Sequence, residues 1–185
     1  MQTAAIVDLG GKATQQDAVL SCNNLATLKN GTPVHLFGVF DGHGTEGGKA
    51  SQYVVDNFPL VLKNMLELVE ADPKSACIQA FAKIHALLAE SQEIDTYMSG
   101  TTGAILLILA VVVLIVGSLV HCAHVGDSRM LVCRKAWKED CVTGYFSIYH
   151  RDHTCEIKSE RERIESMGGR VDYLFDPSQS HAGNN

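Results

Sequence analysis

The tetrapeptide Asp41-Gly42-His43-Gly44 carries residue types that are able to do chemistry. It follows the largely apolar residues 34–40, which predict a buried strand. An aspartate at the end of such a strand is rigidly held, and glycine lets backbone oxygens approach a ligand. Carboxylate and carbonyl oxygens suit a hard cation such as Mg²⁺ or Mn²⁺. The imidazole of His43 can supply a proton near neutral pH. The alternative is a plain Asp-Gly turn with His43 on the surface.

Two further aspartates border apolar stretches. Asp17 precedes residues 18–22, and Asp127 lies in the segment Val125-Gly126-Asp127-Ser128-Arg129. Taken singly, Asp17 is an ordinary strand-edge acid, and Asp127 belongs to a hairpin turn in which Arg129 pairs with it. Three acids near strand ends, however, predict one shared acidic site. Their carboxylates would repel one another unless cations occupied that site.

The elements that must position these residues are predicted from pattern. The segment Lys29-Asn30-Gly31-Thr32-Pro33 predicts a turn between strands. A helix is expected from about Gly48, with a break at Pro59, followed by a second helix. Strands resume after these helices. This order of strands, helices, strands and a last helix favours an α+β fold with mainly antiparallel sheets.

Both later helices have start signals in the sequence. Asp72 is the expected N-cap of the second helix, with Pro73 at its first position. The last helix is expected around residues 159–167, where Ser159 and Glu162 fit a capping box.

Residues 104–120 form an uncharged run that is rich in valine and isoleucine. Its length is at the lower edge of the roughly 17–25 residues that a membrane helix needs. Its composition favours a pair of buried strands that turn at Gly117-Ser118. A membrane span near 104–120 therefore stays as the second interpretation, and it would place Asp41 and Asp127 on opposite sides of the bilayer.

Composition excludes several protein classes. The net charge of −6 argues against a nucleic-acid-binding protein, which would need a basic face. The six cysteines form no Cys-x-x-Cys pair, so we expect no zinc site. No secretory signal pattern is visible at the N-terminus, and reduced thiols in the cytosol or nucleus are the default expectation.

Several motifs together resemble the type 2C, or PPM-type, metal-dependent serine/threonine protein phosphatases. The matching segments are Gln16-Asp17-Ala18, Val39-Phe40-Asp41-Gly42-His43-Gly44, Ser99-Gly100-Thr101-Thr102, Val125-Gly126-Asp127-Ser128-Arg129 and the block from Asp152 to Val171. They occur in the family's order and cover nearly the whole chain. Each motif alone is weak, but five in register are highly specific.

The resemblance implies a fold and a reaction. The fold is a sandwich of two antiparallel β-sheets flanked by helices, a four-layer αββα arrangement, here over a single domain spanning residues 1–185. The expected reaction is dephosphorylation of phosphoserine and phosphothreonine in proteins by a metal-activated water. Phosphorylated proteins are then the expected partners, and we expect a monomer.

The resemblance also implies roles for single residues. Asp41 would bridge two Mg²⁺ or Mn²⁺ ions, and the carbonyl of Gly42 would bind one of them. Asp17 would act nearby through a metal-bound water, and Asp127 would belong to a third, weaker metal site. His43 would be the general acid that protonates the departing serine or threonine oxygen.

Three departures from the family pattern bear on activity. Lys12 stands where the family has a phosphate-binding arginine, so it would contact phosphate without a bidentate fork; the alternative is a solvated loop charge. The apolar run at 104–120 is longer than usual. The family continues beyond the position of Asn185 with further metal-binding aspartates, so we expect an N-terminal portion. A catalytically impaired module that binds phosphoproteins is the alternative function.

Overall fold

Four strands form one antiparallel sheet in the order β1-β2-β3-β4. The computed structural model describes residues 2–95, 109–138, 141–148 and 151–171. The strands are β1 (Ala18–Thr27), β2 (Pro33–Asp41), β3 (Leu109–Val116) and β4 (Leu119–Val125). A separate two-stranded antiparallel sheet consists of β5 (Leu131–Lys138) and β6 (Cys141–Ile148). The α+β class and the antiparallel pairing are confirmed, whereas the four-layer arrangement stays a prediction.

Three helices follow β2, and they include one correction. They are α1 (Gly47–Lys63), α2 (Leu66–Ala71) and α3 (Pro73–Ala89). The expected break at Pro59 is wrong, because α1 continues through this residue. A proline inside a helix removes one backbone hydrogen bond, and the full burial of Phe58 and Leu62 on either side of it offsets that loss. The helix start at Asp72 is confirmed, since its carboxylate accepts a hydrogen bond from the Ser75 amide at 3.1 Å.

The core lies between the helices and one face of the four-stranded sheet. Alternate residues of β2 point into it, as expected from the period of two along a strand. Three phenylalanine rings connect the layers: Phe40 of β2 lies 6.1 Å from Phe58 of α1, which lies 5.2 Å from Phe81 of α3 in an edge-to-face arrangement. The sheet and the two long helices thus share one packed core.

The apolar run forms strands over its described part. Residues 109–120 belong to β3, a turn and the start of β4, with the turn at Gly117-Ser118 as the sequence predicts. Residues 104–108 lie outside the described residues. Gly117 has a φ of +60°, a backbone conformation that favours glycine. Within residues 2–95, 109–138, 141–148 and 151–171, no helix combines the length and the apolar composition that a membrane crossing needs.

The chain divides into two compact units, Met1–Asp152 and His153–Asn185. A single domain over residues 1–185 stays a prediction. The second unit contains α4 (Lys158–Ser166), in which Arg163 donates to Glu160 at 2.7 Å. The predicted capping box is wrong: α4 begins at Lys158, which places Ser159 inside the first turn instead of at the N-cap.

Candidate active site

The three predicted acidic residues, Asp17, Asp41 and Asp127, lie at the same edge of the four-stranded sheet, which we call the acidic edge. Ala18 of β1 pairs with Phe40 of β2, so Asp17, just before β1, lies beside Asp41 at the end of β2. Ala110 of β3 pairs with Val125 of β4, and Asp127 follows two residues later. In an antiparallel sheet the start of one strand meets the end of the next. The antiparallel pairing alone therefore places the start of β1 and the ends of β2 and β4 at one edge of the sheet.

Electrostatic interactions act between the acids at this edge. Partial burial raises the pKa of Asp41, and the charges of Asp17 and Asp127 raise it further. A side-chain hydrogen bond with Asp17 acts in the same direction, whereas the charge of Lys12 lowers the pKa of Asp41. Burial and neighbouring carboxylates both disfavour the ionised form. This edge of the sheet is therefore a place where a cation would relieve repulsion.

The backbone around Gln16 holds the two main acids in place. The Gly42 amide donates to the Gln16 carbonyl oxygen at 3.1 Å, and the Ser51 hydroxyl donates to the same oxygen at 2.6 Å. The side-chain amide of Gln16 donates to the carbonyl oxygen of Gly44 at 2.7 Å. We call Gln16, Gly42, Gly44 and Ser51 the Gln16 junction. It connects the residue before Asp17 with the residue after Asp41.

Gly42 is required for close packing at this junction. A Cβ atom at residue 42 would clash with the carbonyl oxygens of Gly47 and Gln16, and it would lie 2.6 Å from the carbonyl carbon of Gly47. Sequence analysis assigned Gly42 to carbonyl binding and missed this packing role, along with the contributions of Gln16, Gly47 and Ser51. The pair Gly47-Gly48 at the start of α1 was the available signal, since adjacent glycines mark close backbone approach.

His43 has an inward-facing imidazole. Both ring nitrogens are buried, and neither has a hydrogen-bond partner among the described residues. A neutral imidazole carries one donor and one acceptor, and a buried polar atom without a partner is unfavourable. A ligand or a water at this position would satisfy them. Its role as a general acid stays a prediction.

Lys12 lies near Asp41, and Asp127 belongs to the acidic edge, but the two residues have different local structures. Lys12 lies in an exposed turn in which its amide donates to the Leu9 carbonyl at 3.2 Å. Asp127 is exposed and follows β4. Its alternative interpretation, a pair with Arg129, is wrong, because the Arg129 guanidinium binds Asp152 through Nε at 3.0 Å and Nη2 at 2.5 Å. This bidentate geometry is the preferred one for arginine and a carboxylate.

The residues at this edge fit a hard divalent cation in donor type and charge. Asp41 and Asp17 supply carboxylate oxygens, and Mg²⁺ is commonly held by one or two carboxylates together with several waters. Across the described parts of the chain, no three histidine, cysteine, aspartate or glutamate side chains converge on one point.

Comparison with known proteins gives one consistent family. The sequence profile described as "Protein phosphatase 2C" matches residues 9–177. The chain is 38% identical over 148 residues to "Probable protein phosphatase 2C 35" of Arabidopsis thaliana, covering 80% of this chain and 39% of that protein. It is 35% identical over 142 residues to "Probable protein phosphatase 2C 71" of the same plant, covering 77% and 28%.

A more distant relative comes from fission yeast. The chain is 28% identical over 164 residues to "Protein phosphatase 2C homolog 3" of Schizosaccharomyces pombe, covering 89% of this chain and 36% of that protein. The aligned region thus spans less than two fifths of the length of each of these three relatives.

Proposed function

The chain belongs to the protein phosphatase 2C family, and we propose that it acts in the metal-dependent hydrolysis of phosphoserine and phosphothreonine in proteins. The observation that carries this proposal is the placement of Asp17, Asp41 and Asp127 at one sheet edge, where partial burial and the charges of Asp17 and Asp127 raise the pKa of Asp41. An arrangement that disfavours its own charged form is unfavourable for a purely structural cluster. It is useful where a cation binds.

Asp41 and the carbonyl of Gly42 would hold two Mg²⁺ or Mn²⁺ ions, with Asp17 acting through water. Asp127 would serve a third, weaker site. Dependence on such ions is general for the family. Bound divalent ions would neutralise charge on the phosphoryl oxygens and lower the pKa of a water nucleophile.

The chain's own side chains have separate tasks in this proposal. As the bond between phosphorus and the serine or threonine oxygen breaks, His43 would donate a proton to that oxygen. The burial of both ring nitrogens supports a role that is completed by a bound substrate or water. Lys12 would contact the phosphate as a point charge, and its effect on Asp41 supports its proximity to the site.

A phosphothreonine peptide tests the proposal directly. The full chain is assayed for phosphate release with Mn²⁺ and with EDTA. We expect Asp41→Ala to lower the metal-dependent rate at least about 100-fold, since even residues that only support metal ligands commonly contribute 10- to 100-fold. Asp56→Ala, which removes an exposed carboxylate on α1, is the matched control and should keep the parent rate. Equal rates in both variants would remove Asp41 from the proposed site.

A second candidate is phosphoprotein binding without turnover. It is favoured by the observation that no three side-chain ligands converge within the described residues. A parent chain that binds a phosphothreonine peptide, yet releases no phosphate with either ion, would support this candidate over the first. The binding should then depend on Lys12, which Lys12→Met would test.

Several expectations about cellular context stay predictions from the sequence. These are a location in the cytosol or nucleus, a monomeric state and the absence of nucleic-acid partners. The net charge of −6 supports the last of them, because a nucleic-acid surface would repel the protein as a whole.

A further inference from the structure

Gln16 makes two kinds of hydrogen bond that join separate segments of the chain. Its side-chain amide donates to the Gly44 carbonyl oxygen at 2.7 Å. Its own carbonyl oxygen accepts from the Gly42 amide at 3.1 Å and from the Ser51 hydroxyl at 2.6 Å. One residue therefore links the start of β1, the loop after β2 and the first turns of α1.

The surroundings of these bonds leave little room for adjustment. Ser51 is only 4% exposed, although it is polar. A Cβ on Gly47 would lie 2.8 Å from the Gly42 carbonyl carbon and 3.1 Å from Oε1 of Gln16. Closely packed backbone segments of this kind move together, because none of them has an empty space to move into. Loss of one bond at Gln16 therefore acts on the whole junction.

We infer that Gln16 is a positioning residue, which fixes the Asp41 carboxylate relative to Asp17 by holding the Gly42–Gly44 loop through its side-chain amide. The role is specific to an amide: Nε2 donates to a carbonyl oxygen, and a carboxylate at residue 16 has no proton to donate there. This inference rests on the proposed function only for its consequence, metal binding. The geometric claim can be tested without any metal.

The competing assignment makes the side chain at residue 16 a metal contact. A carboxylate at residue 16 would add negative charge to the acidic edge. Under that assignment, Gln16→Glu should bind a divalent cation more tightly than the parent. Under ours it should bind more weakly, because the new carboxylate would face the Gly44 carbonyl oxygen and open the loop.

The first experiment measures hydrogen exchange of the Gly42 amide by NMR in the metal-free full chain. We expect Gln16→Met to raise the exchange rate of Gly42 roughly two- to tenfold, the range that corresponds to one net hydrogen bond. Gln52→Met is the matched control, because Gln52 donates to Asp56 at 2.9 Å on the exposed surface of α1, away from residue 16. Exchange of the Leu36 amide in β2 should stay unchanged and reports on the global fold. An unchanged Gly42 rate in Gln16→Met would overturn the inference.

The second experiment titrates the chain with Mn²⁺ alone and follows the EPR signal of the free ion. We expect several-fold weaker binding in both Gln16→Met and Gln16→Glu, and parent affinity in Gln52→Met. Tighter binding by Gln16→Glu would overturn the positioning role in favour of a metal contact. A parent chain that takes up no Mn²⁺ would instead contradict the proposed function, and exchange at Gly42 would still decide the role of Gln16.

Discussion

The two faces of strand β2 differ in burial: one packs against the helices, and the other borders an open groove. On the helix side, Val34, Leu36 and Phe40 are at most 1% exposed. On the other side Val39 is 48% exposed, and it borders an open groove of about 570 Å³ that residues 2–6 and the sheet enclose. The chain that follows Phe40 turns at once into the acidic edge. One strand thus supplies core packing through alternate residues and positions the candidate site at its end.

This contrast shows where stability and chemistry are separated. Burial of apolar surface on the helix side stabilises the fold. The acidic edge does the reverse, because partial burial and the charges of Asp17 and Asp127 disfavour the ionised form of Asp41. Changes on the helix side should therefore lower stability, whereas neutralising the acidic edge should raise stability and remove function.

The largest effect is expected from Phe58→Ala, in the middle of the helix side. Phe58 is fully buried between the rings of Phe40 and Phe81. Removing the ring loses burial and leaves a cavity, which commonly costs about 3–5 kcal/mol. Urea unfolding followed by circular dichroism measures the loss. Leu60→Ala on the same helix, at a residue that is 54% exposed, is the control, and a similar loss in both variants would contradict the assigned core.

Gly42→Ala should have the next largest effect, because it joins the two regions. The added methyl would overlap the carbonyl groups of Gly47 and Gln16, and overpacking of this kind typically costs about 1–3 kcal/mol. We expect both a lower unfolding free energy and weaker Mn²⁺ binding. Gly11→Ala is the control, since among the described residues no atom beyond its chain neighbours lies within 4 Å of a Cβ there. Parent-like stability and Mn²⁺ binding in Gly42→Ala would show that the Gln16 junction can move to accommodate the added methyl group.

Asp41→Asn should act in the opposite direction on stability. The pKa of Asp41 is raised in the folded chain, so the folded state keeps this proton to a higher pH than the unfolded state. The stability that Asp41 contributes is therefore present at low pH and is lost as pH rises through the raised pKa. In EDTA at neutral pH, the variant should have a higher melting temperature than the parent.

The pH dependence separates this explanation from a general gain in packing. Below about pH 3.9, the ordinary pKa of an aspartate, the difference in melting temperature between the variant and the parent should disappear. Mn²⁺ should raise the melting temperature of the parent, because it binds only the folded state, and leave the variant unchanged. A variant that is less stable than the parent at neutral pH would contradict the assigned repulsion.

Much of this division could be predicted from sequence because it depends on local patterns. The largely apolar run at residues 34–40 marked β2, the Asp72-Pro73 pair marked the start of α3, and Gly117-Ser118 marked a turn. The three acids could be grouped because each borders a strand. Their meeting at one edge then follows from antiparallel pairing.

The contacts that sequence analysis missed depend on backbone geometry between distant segments. The carbonyl of Gln16 meets the Ser51 hydroxyl across 35 residues, and nothing in either local sequence encodes that contact. The pairing of Arg129 with Asp152, 23 residues away, replaced a local pair with Asp127 for the same reason. Pro59 remained helical because tertiary burial outweighs local propensity.

The smallest effect is expected from Val39→Thr, on the open side of β2. Threonine keeps the branched Cβ that suits a strand, and its hydroxyl can reach water at a residue that is 48% exposed. The change in unfolding free energy should stay within about 0.5 kcal/mol, as for most surface substitutions. Val34→Thr, on the fully buried side of the same strand, should cost about 1–3 kcal/mol because its hydroxyl lacks a partner. Equal losses would mean that the groove side is covered in solution, and the contrast between the two faces would then no longer hold.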